Sequence, residues 1–252
     1  MCLSLCKHRR PPPEGGAPWF KHAVLVETSS NGATGPYSPR GVSGSCLVDR
    51  SVDGIDAYLD RLASAAPTPG GGSAATLVGA LGAALCAMVA RITAASERHA
   101  AEYAAAHAIA DEADALRERF RAAQTLDEEA YAAVVEASAR PKRTDDEKRA
   151  RTDAVQRALI EAAEAPLGAS GLCAEGIALA ARANALGNAH LVSDVECALH
   201  FFRAALAGCV ANVRINHRFI KDAALVQAQD ERLVAMVTTA HETLERLLPK
   251  LP

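Results

Sequence analysis

Alanine dominates this chain and restricts its fold more than any single motif does. Of the 252 residues, 56 are alanine, whereas Phe, Trp and Tyr together make up only 4%. Alanine has the highest helix propensity of all residues, and aromatic side chains favour strands. Half of the chain is apolar and 23% is charged. The composition therefore predicts a globular, all-α protein and disfavours a fold centred on a sheet.

The charge balance and the cysteines argue against two classes of function. The formal net charge is −3, so the chain lacks the basic excess with which nucleic-acid-binding proteins displace counterions. Its seven cysteines are odd in number and irregular in spacing, unlike a disulfide framework or a zinc site. The histidines have no metal-ligand spacing either. We expect a cytoplasmic protein with reduced thiols, no bound metal and no nucleic-acid partner.

The chain divides into two unlike parts near residue 50. Residues 1–50 hold six of the 12 prolines but only three of the 56 alanines, and they keep no helical or strand period. We expect this part to be a poorly ordered extension. It does not resemble a secretory signal, because basic residues interrupt it about five positions after Met1. Residues 51–252 are predicted to form a single helical domain.

Capping signals divide residues 51–252 into consecutive helices. The form S/T-x-x-E at Thr125, Thr144 and Ser193 predicts helix starts, Pro166 suits a first helical position and Gly187 suits a helix end. Long helices joined by short loops predict an up-and-down bundle of about eight helices. The expected ranges are 53–65 (capped by Ser51), 73–95, 97–123, 126–139, 145–165, 167–186, 194–219 and 222–248.

Residues 74–90 contain no charged side chain and are expected to lie in a central helix. A ridge of small residues recurs at i, i+4 spacing and consists of Ala75, Gly79, Ala83 and Ala87. The bulky ridge beside it consists of Leu77, Leu81, Leu85, Met88 and Ile92. The segment is slightly short for a membrane span, and Ala and Gly transfer weakly into lipid. A core helix is therefore favoured, and its small residues also suit close packing against a second copy.

A stiff, glycine-rich segment, residues 67–73, precedes that helix and is called the glycine corner here. Two prolines are followed by three glycines that are free to take positive φ, and Ser73 is the expected N-cap. The helix dipole and free N–H groups there could bind an anion or a carbonyl oxygen. The alternative is a structural turn. The residues expected to bind ligand are Pro69, Gly70, Gly71, Gly72 and Ser73.

The glycine corner resembles the signature of the formiminotransferase-cyclodeaminase C-terminal family, also called the cyclodeaminase/cyclohydrolase family. Further motifs agree with that family in order and spacing over residues 51–222. The matching residues are Ala87 to Ala90, Asp127 to Tyr131, Pro141-Lys142 with Thr144, Glu147, Lys148 and Arg151, Gly187-Asn188, Ser193-Asp194, and Asn212-Val213 followed by Asn216.

The resemblance implies an all-helical, homo-oligomeric enzyme that acts on the N5–N10 one-carbon bridge of tetrahydrofolate. Its substrate would be a tetrahydrofolate derivative, and it would carry no prosthetic group. The first expectation is a cyclodeaminase, which closes 5-formimino-tetrahydrofolate to 5,10-methenyl-tetrahydrofolate and releases ammonia. The first alternative is a methenyltetrahydrofolate cyclohydrolase. A catalytically silent module that binds folate or a protein stays open, because Thr125 stands where the family pattern carries an acid.

Asp194 is the first candidate for the acid–base carboxylate that such chemistry requires. It lies 18 positions before Asn212, which is five helical turns, so the two share a helix face with Asn216 one turn further on. Polar groups on a mostly apolar helix need partners, and pterin nitrogens would supply them. The alternative is that Ser193 and Asp194 cap the helix and that the asparagines bond across the bundle.

Asp127 is the second catalytic candidate, although a carboxylate in the first turn of a helix is also favourable structurally. Lys142 and Arg151 are expected to bind the anionic glutamate tail of folate, unless they are ordinary charges on a solvated face. Asn188, just beyond a predicted helix end, would bond either loop backbone or substrate. Ser193 completes the predicted substrate-binding residues.

Overall fold

Every regular element that the structure describes is helical. The computed structural model describes residues 54–248, so the predicted extension, the cap at Ser51 and the predicted domain boundary lie outside the described residues. The α-helices are α1 (Ile55–Leu62), α2 (Gly71–Ala94), α3 (Tyr103–Ala139), α4 (Asp145–Ala185), α5 (Val192–His217) and α6 (Ala223–Leu247). The 3-10 turns Glu97–Glu102 and Ala189–Leu191 precede α3 and α5. The all-α prediction is confirmed, with six α-helices within 54–248 instead of about eight.

Helices α2 to α5 form the core of the bundle. α2 packs against α3 and α5, and α4 packs against the same two helices from the other side. α6 packs mainly against α4. Short connections make consecutive helices run in opposite directions, so the up-and-down arrangement places the start of α2 and the end of α5 at one end of the bundle.

The predicted helix boundary at Thr125 is wrong. Thr125 lies inside α3, and its hydroxyl is 3.5 Å from the backbone carbonyl of Arg121. The predicted capping partner, Glu128, instead accepts a hydrogen bond from Ser73 of α2. A tertiary contact therefore occupies the side chain that a capping box would need.

The predicted boundary at Pro166 is also wrong, because α4 continues through it. A proline has no N–H, so the carbonyl of Ala162, four residues earlier, loses its helical partner. The side-chain amide of Asn216 on α5 donates to that carbonyl at 2.7 Å. This contact replaces the hydrogen bond that the proline removes.

Two helix ends form as the local sequence predicts, and a third does not. Thr144 and Glu147 form the capping box of α4, with Glu147 N–H donating to Thr144 Oγ1 at 3.2 Å. Gly187 follows α4 with φ of +71°, the left-handed conformation that favours glycine at a helix end. The cap predicted at Ser193 is wrong, because Leu191 precedes α5 and no side chain caps it.

The small-residue ridge of α2 faces the core, and all four of its residues are buried. The Phe120 ring of α3 lies against Gly79, where a Cβ would come within 2.4 Å of the ring. Phe202 of α5 lies equally close to Gly176 of α4, where a Cβ would come within 2.3 Å. Glycine is required at both positions because it leaves room for a phenyl ring.

The opposite face of α2 is apolar and only partly covered within one chain. Leu81 and Ile92 are 42% and 47% exposed, and the other members of the bulky ridge are half-buried. By length and composition α2 could cross a membrane, but more than half of its residues are buried inside the bundle. This burial agrees with the core helix that the sequence favours.

Candidate active site

The glycine corner begins α2 at the end of the bundle where α5 ends. Gly70 is the N-cap, with φ of −121° and ψ of −162°, and the helix starts at Gly71. Ser73 is therefore the third residue of the helix, so its predicted role as N-cap is wrong. Pro69 is buried and follows a cis peptide bond. Within 54–248 only Gly187 has positive φ, so the corner glycines serve another purpose.

That purpose is visible at Gly72, which leaves room for the carboxylate of Asp127. A Cβ on Gly72 would lie 2.1 Å from Oδ1 of Asp127 and 2.5 Å from its Cγ. The backbone N–H of Ser73 also donates a hydrogen bond to the same carboxylate. The sequence predicts that Asp127 lies in the first turn of its own helix. That prediction is wrong, because Asp127 lies in the interior of α3. It instead meets the first turn of α2.

Three effects act on the pKa of the Asp127 carboxyl group, and they do not all have the same direction. Burial raises its pKa above the ordinary value, because removal from water disfavours the charged form. The hydrogen bond from Ser73 lowers the pKa, and the nearby charge of Glu128 raises it again. The net direction is upward. A carboxyl group with a raised pKa is suited to accept and return a proton near neutral pH.

The Ser73 hydroxyl is fully buried and is bonded by three side chains from two other helices. It donates to Oε1 of Glu128 at 3.2 Å and accepts from Nε2 of Gln124 at 3.1 Å. The Tyr58 hydroxyl lies 3.1 Å from it. Sequence reasoning missed Tyr58, Gln124 and Glu128. The i, i+4 spacing of the last two around Asp127 could have indicated them had α3 been predicted as continuous.

Asn212 is the predicted residue of α5 that lies at this corner. A Cβ on Gly71 would be 3.6 Å from its Nδ2, and this amide donates to the carbonyl of Gly208 at 2.9 Å. Asn216, one turn further, donates to the carbonyls of both Ala162 and Asn212. The structure therefore places Asn212 beside the corner and shows Asn216 bonded across the bundle.

Asp194, Ser193 and Asn188 are not brought to the corner within one chain. Asp194 and Asn212 share a helix, but 18 residues separate them, which is about 27 Å of axial rise. Asn188 donates to Thr93 Oγ1 at 3.1 Å, near the C-terminal end of α2. Both residues lie in α5, but the axial distance prevents one small ligand centre from touching both of them.

The two predicted cations also lie away from the corner. Lys142 is exposed in the connection between α3 and α4, 15 residues beyond Asp127, or about 22 Å if the helical rise is maintained. Arg151 Nε donates to the carbonyl of Ser138 at 2.8 Å, and so ties the end of α3 to the start of α4.

Two cavities lie elsewhere among the described residues. One, of about 440 Å³, includes Asn188 together with Arg98, His99 and His190. The other, of about 1030 Å³, is a groove between α5 and α6 that includes Arg203 and Arg214. No group of three or more His, Cys, Asp or Glu side chains within 54–248 is arranged to hold a metal ion.

An all-helical bundle with two carboxylates at the N-terminus of its central helix has the groups of an acid–base enzyme. Residues 54–235 match the family model described as formiminotransferase-cyclodeaminase, and the chain belongs to that family. The predicted resemblance is thus confirmed.

The named relatives include a cyclohydrolase and two formimidoyltransferase-cyclodeaminases. A methenyltetrahydrofolate cyclohydrolase of Methylorubrum extorquens is 35% identical over 193 residues, which cover 77% of this chain and 93% of that protein. Formimidoyltransferase-cyclodeaminases of Mus musculus and Rattus norvegicus are each 26% identical over 194 residues. The match covers 77% of this chain but only 35% of each rodent protein.

A solved structure shares the fold. The crystal structure of formiminotetrahydrofolate cyclodeaminase from Thermotoga maritima matches with a TM-score of 0.71 and 25% identity, over 78% of this chain and 94% of that one. The carboxylates at the glycine corner of this bundle form the candidate active site.

Proposed function

We propose that this protein is a methenyltetrahydrofolate cyclohydrolase. The observation that carries the proposal is the Asp127 carboxylate, which is held against Gly72 and has a pKa raised by burial. The similarity to the Methylorubrum extorquens cyclohydrolase, which extends over nearly the whole of that protein, supports hydrolysis ahead of the deamination that the sequence motifs favour first.

The proposed reaction uses one carboxylate twice. Water adds to the cationic methenyl carbon, and Asp127 accepts a proton as the new C–O bond forms. The tetrahedral carbon then expels N5, and Asp127 returns its proton to that nitrogen as the C–N bond breaks. The remaining hydroxyl proton leaves to solvent, and the product is formyl-tetrahydrofolate. A negative carboxylate also stabilises the cationic substrate before water adds.

Substrate binding is proposed to use the glycine corner and the side chains around it. N–H groups in the first turn of α2 lack helical partners and suit a carbonyl or anionic oxygen. The Asn212 amide lies beside Gly71 and would bond a pterin ring. Lys142 and Arg151 are still proposed to bind the glutamate tail of folate. For this the tail has to extend from the glycine corner along α3 and α4.

A cyclodeaminase is the second candidate, and the similarity to the Thermotoga maritima structure favours it. In that reaction N10 attacks the formimino carbon, and ammonia leaves from the same tetrahedral centre. Asp127 would take the proton from N10 and give it to the departing nitrogen. The same carboxylate and the same corner serve both reactions.

Two assays distinguish these functions. A cyclohydrolase accelerates the loss of methenyl absorbance above the rate without protein, and a cyclodeaminase releases ammonia from 5-formimino-tetrahydrofolate. Asp127→Asn should abolish the acceleration, whereas Glu129→Gln, at an exposed neighbouring position, should retain it. A wild-type protein that binds tetrahydrofolate but converts neither substrate would be the catalytically silent module.

We further propose that two copies pair through the outward apolar face of α2. The exposure of Leu81 and Ile92 supports this pairing, since a contiguous apolar stripe on a helix is suited to a partner. An antiparallel crossing about a two-fold axis sets the start of one α2 beside the end of the other. Asn188 and Asp194 of the second copy would then reach the glycine corner, which they do not reach within one chain.

A further inference from the structure

Three helices meet at one buried hydroxyl, Ser73 Oγ, and its hydrogen bonds have a direction. A serine hydroxyl donates one hydrogen and accepts two. Oγ donates to Glu128, and Gln124 Nε2 donates to Oγ. The remaining contact, with the Tyr58 hydroxyl at 3.1 Å, therefore has Tyr58 as its donor. The chain of donors runs from Tyr58 through Ser73 to the Glu128 carboxylate.

The same serine also bonds the second carboxylate. Its backbone N–H donates to Asp127, while its side chain donates to Glu128. Asp127 and Glu128, which are adjacent on α3, therefore accept hydrogen bonds from two different donor groups of Ser73. Because a like charge raises the proton affinity of a nearby carboxylate, an ionised Glu128 favours the protonated form of Asp127.

The donors hold the Glu128 carboxylate in place. The Ser73 hydroxyl donates to Glu128 while it accepts from Gln124 and from Tyr58. Tyr58 remains a phenol and so a donor, because burial raises its pKa. At Asp127 the backbone hydrogen bond from Ser73 lowers the pKa, but burial raises it by more.

Other charged groups near this cluster are limited among residues 54–248. α2 carries no charge before Arg91, and α5 presents the uncharged Asn212. On α1 the guanidinium of Arg61 lies 5.9 Å from the centre of the Tyr58 ring. On α4, Glu164 is paired with a cation of α6. The charge of Arg61 acts on Tyr58 in this cluster, and the charge of Glu128 raises the pKa of Asp127.

We propose that Glu128 is a positioning residue whose charge acts on Asp127, and that Tyr58 and Ser73 hold its carboxylate in place for that purpose. This proposal rests on the proposed function, in which Asp127 moves the proton. Glu128 would then be the second acid at the glycine corner, whereas the family pattern carries that acid at the position of Thr125. Thr125 is exposed and is bonded only within its own helix in the described structure.

The test is the pH dependence of kcat in a set of matched variants. Glu128→Gln removes the charge and keeps an oxygen that can accept from Ser73. Since activity requires Asp127 to be ionised before water adds, the acid limb of the kcat profile should shift to lower pH in Glu128→Gln. Glu129→Gln removes an equal charge from the next, exposed residue and should leave the limb in place.

Tyr58→Phe tests the donor end of the chain. The ring stays in its buried site, where Tyr58 is 7% exposed, and only the hydroxyl is lost. Without this donor the Ser73 hydroxyl holds the Glu128 carboxylate less firmly beside Asp127, so the limb should move in the same direction as in Glu128→Gln but by less. KM should change little in either variant. An unmoved limb in Tyr58→Phe would remove the phenol from the proposal.

A measurement without substrate separates this proposal from the proposed function. The carboxyl carbon of Asp127 can be followed by NMR titration and assigned by its loss in Asp127→Asn. Its midpoint should fall in Glu128→Gln and stay unchanged in Glu129→Gln. If the midpoint falls but no folate is converted, the effect of Glu128 on Asp127 is confirmed and the proposed reaction is wrong. If Glu128→Gln titrates like the wild type, the proposal is overturned whatever the substrate.

Discussion

Gly72 and Asp127 are in contact across two helices, and the contact leaves no room for a Cβ between them. A Cβ built on Gly72 would lie 2.1 Å from Oδ1 of Asp127, well inside the distance at which such atoms can approach. Asp127 belongs to the middle of α3 and Gly72 to the first turn of α2. The position of the acid therefore depends on a glycine that is distant in sequence.

Gly72→Ala should displace the Asp127 carboxylate and reduce kcat by about 10²-fold or more, because a misplacement of about 1 Å costs that much in an acid–base step. Gly71→Ala is the steric control, and only its kcat is compared because Gly71 belongs to the proposed substrate-binding corner. A Cβ there would meet Asn212 Nδ2 at 3.6 Å, an ordinary contact. Steady-state kinetics on both variants checks the prediction, with thermal unfolding to show that each is folded. Equal activity of the two variants would contradict it.

Asp127→Asn should raise stability at neutral pH while it lowers kcat by about 10²- to 10⁴-fold. The pKa of Asp127 is raised in the folded protein above its ordinary value of 3.8. The folded state thus binds the proton more tightly than the unfolded state does. The stability due to this group is fully present below pH 3.8 and is lost as the pH rises through the folded pKa. The ionised acid therefore destabilises the protein at pH 7.

Calorimetric melting of wild type and Asp127→Asn over a range of pH checks this sign. The variant should melt at the higher temperature at pH 7, because Asn is neutral and its Oδ1 can still accept from the Ser73 N–H. The two melting temperatures should converge as the pH approaches 3.8. A variant that is less stable than the wild type at pH 7 would show that the hydrogen bond from Ser73 outweighs burial.

Local sequence predicts the start of α4, where the capping hydrogen bonds are local, and fails at Thr125, where the partner comes from another helix. The box of Thr144 and Glu147 spans three residues and forms as predicted. The same pattern at Thr125 does not cap a helix, because Glu128 is used by Ser73, 55 residues away. Nothing in the neighbourhood of Thr125 distinguishes the two cases.

The candidate site shows the same division. The glycine corner and Asp127 are each visible as motifs, but their contact depends on how α2 and α3 pack. Helical periodicity predicts that Asp194 and Asn212 share a helix face, but it gives no axial distance. The two residues are 18 positions apart in α5, which is about 27 Å along the helix axis. Tyr58 carries no motif at all, and only the position of α1 in the folded chain places its hydroxyl at Ser73.

Asn216 and Pro166 should be energetically coupled. Asn216→Leu leaves the buried carbonyl of Ala162 without a donor, since Pro166 cannot supply one. We expect a loss of about 1–3 kcal/mol in the free energy of unfolding. In a Pro166→Ala background the restored N–H bonds that carbonyl, so the same substitution should cost less. Urea unfolding of the four proteins gives the coupling energy, and strictly additive effects would refute this role for Asn216.

Two inactive variants should complement each other if the active site takes residues from two copies. In a mixed dimer of Asp127→Asn and Asp194→Asn, one site carries both substitutions and the other carries neither. Random pairing then restores roughly a quarter of wild-type activity. Unfolding and refolding the two chains together, followed by the assay of methenyl loss, measures this recovery.

The control for complementation lies on the outward face of α2. Leu81→Arg places a charge at a position that is 42% exposed in one chain and would be buried in the proposed pair, so each chain should elute as a monomer and show no recovery. Because Leu81 is far from Asp127 in the same chain, about 10 residues along α2 from the corner, loss of activity in Leu81→Arg would report pairing. Full activity of a monomeric Leu81→Arg would place the whole site in one chain and leave Asp194 outside it.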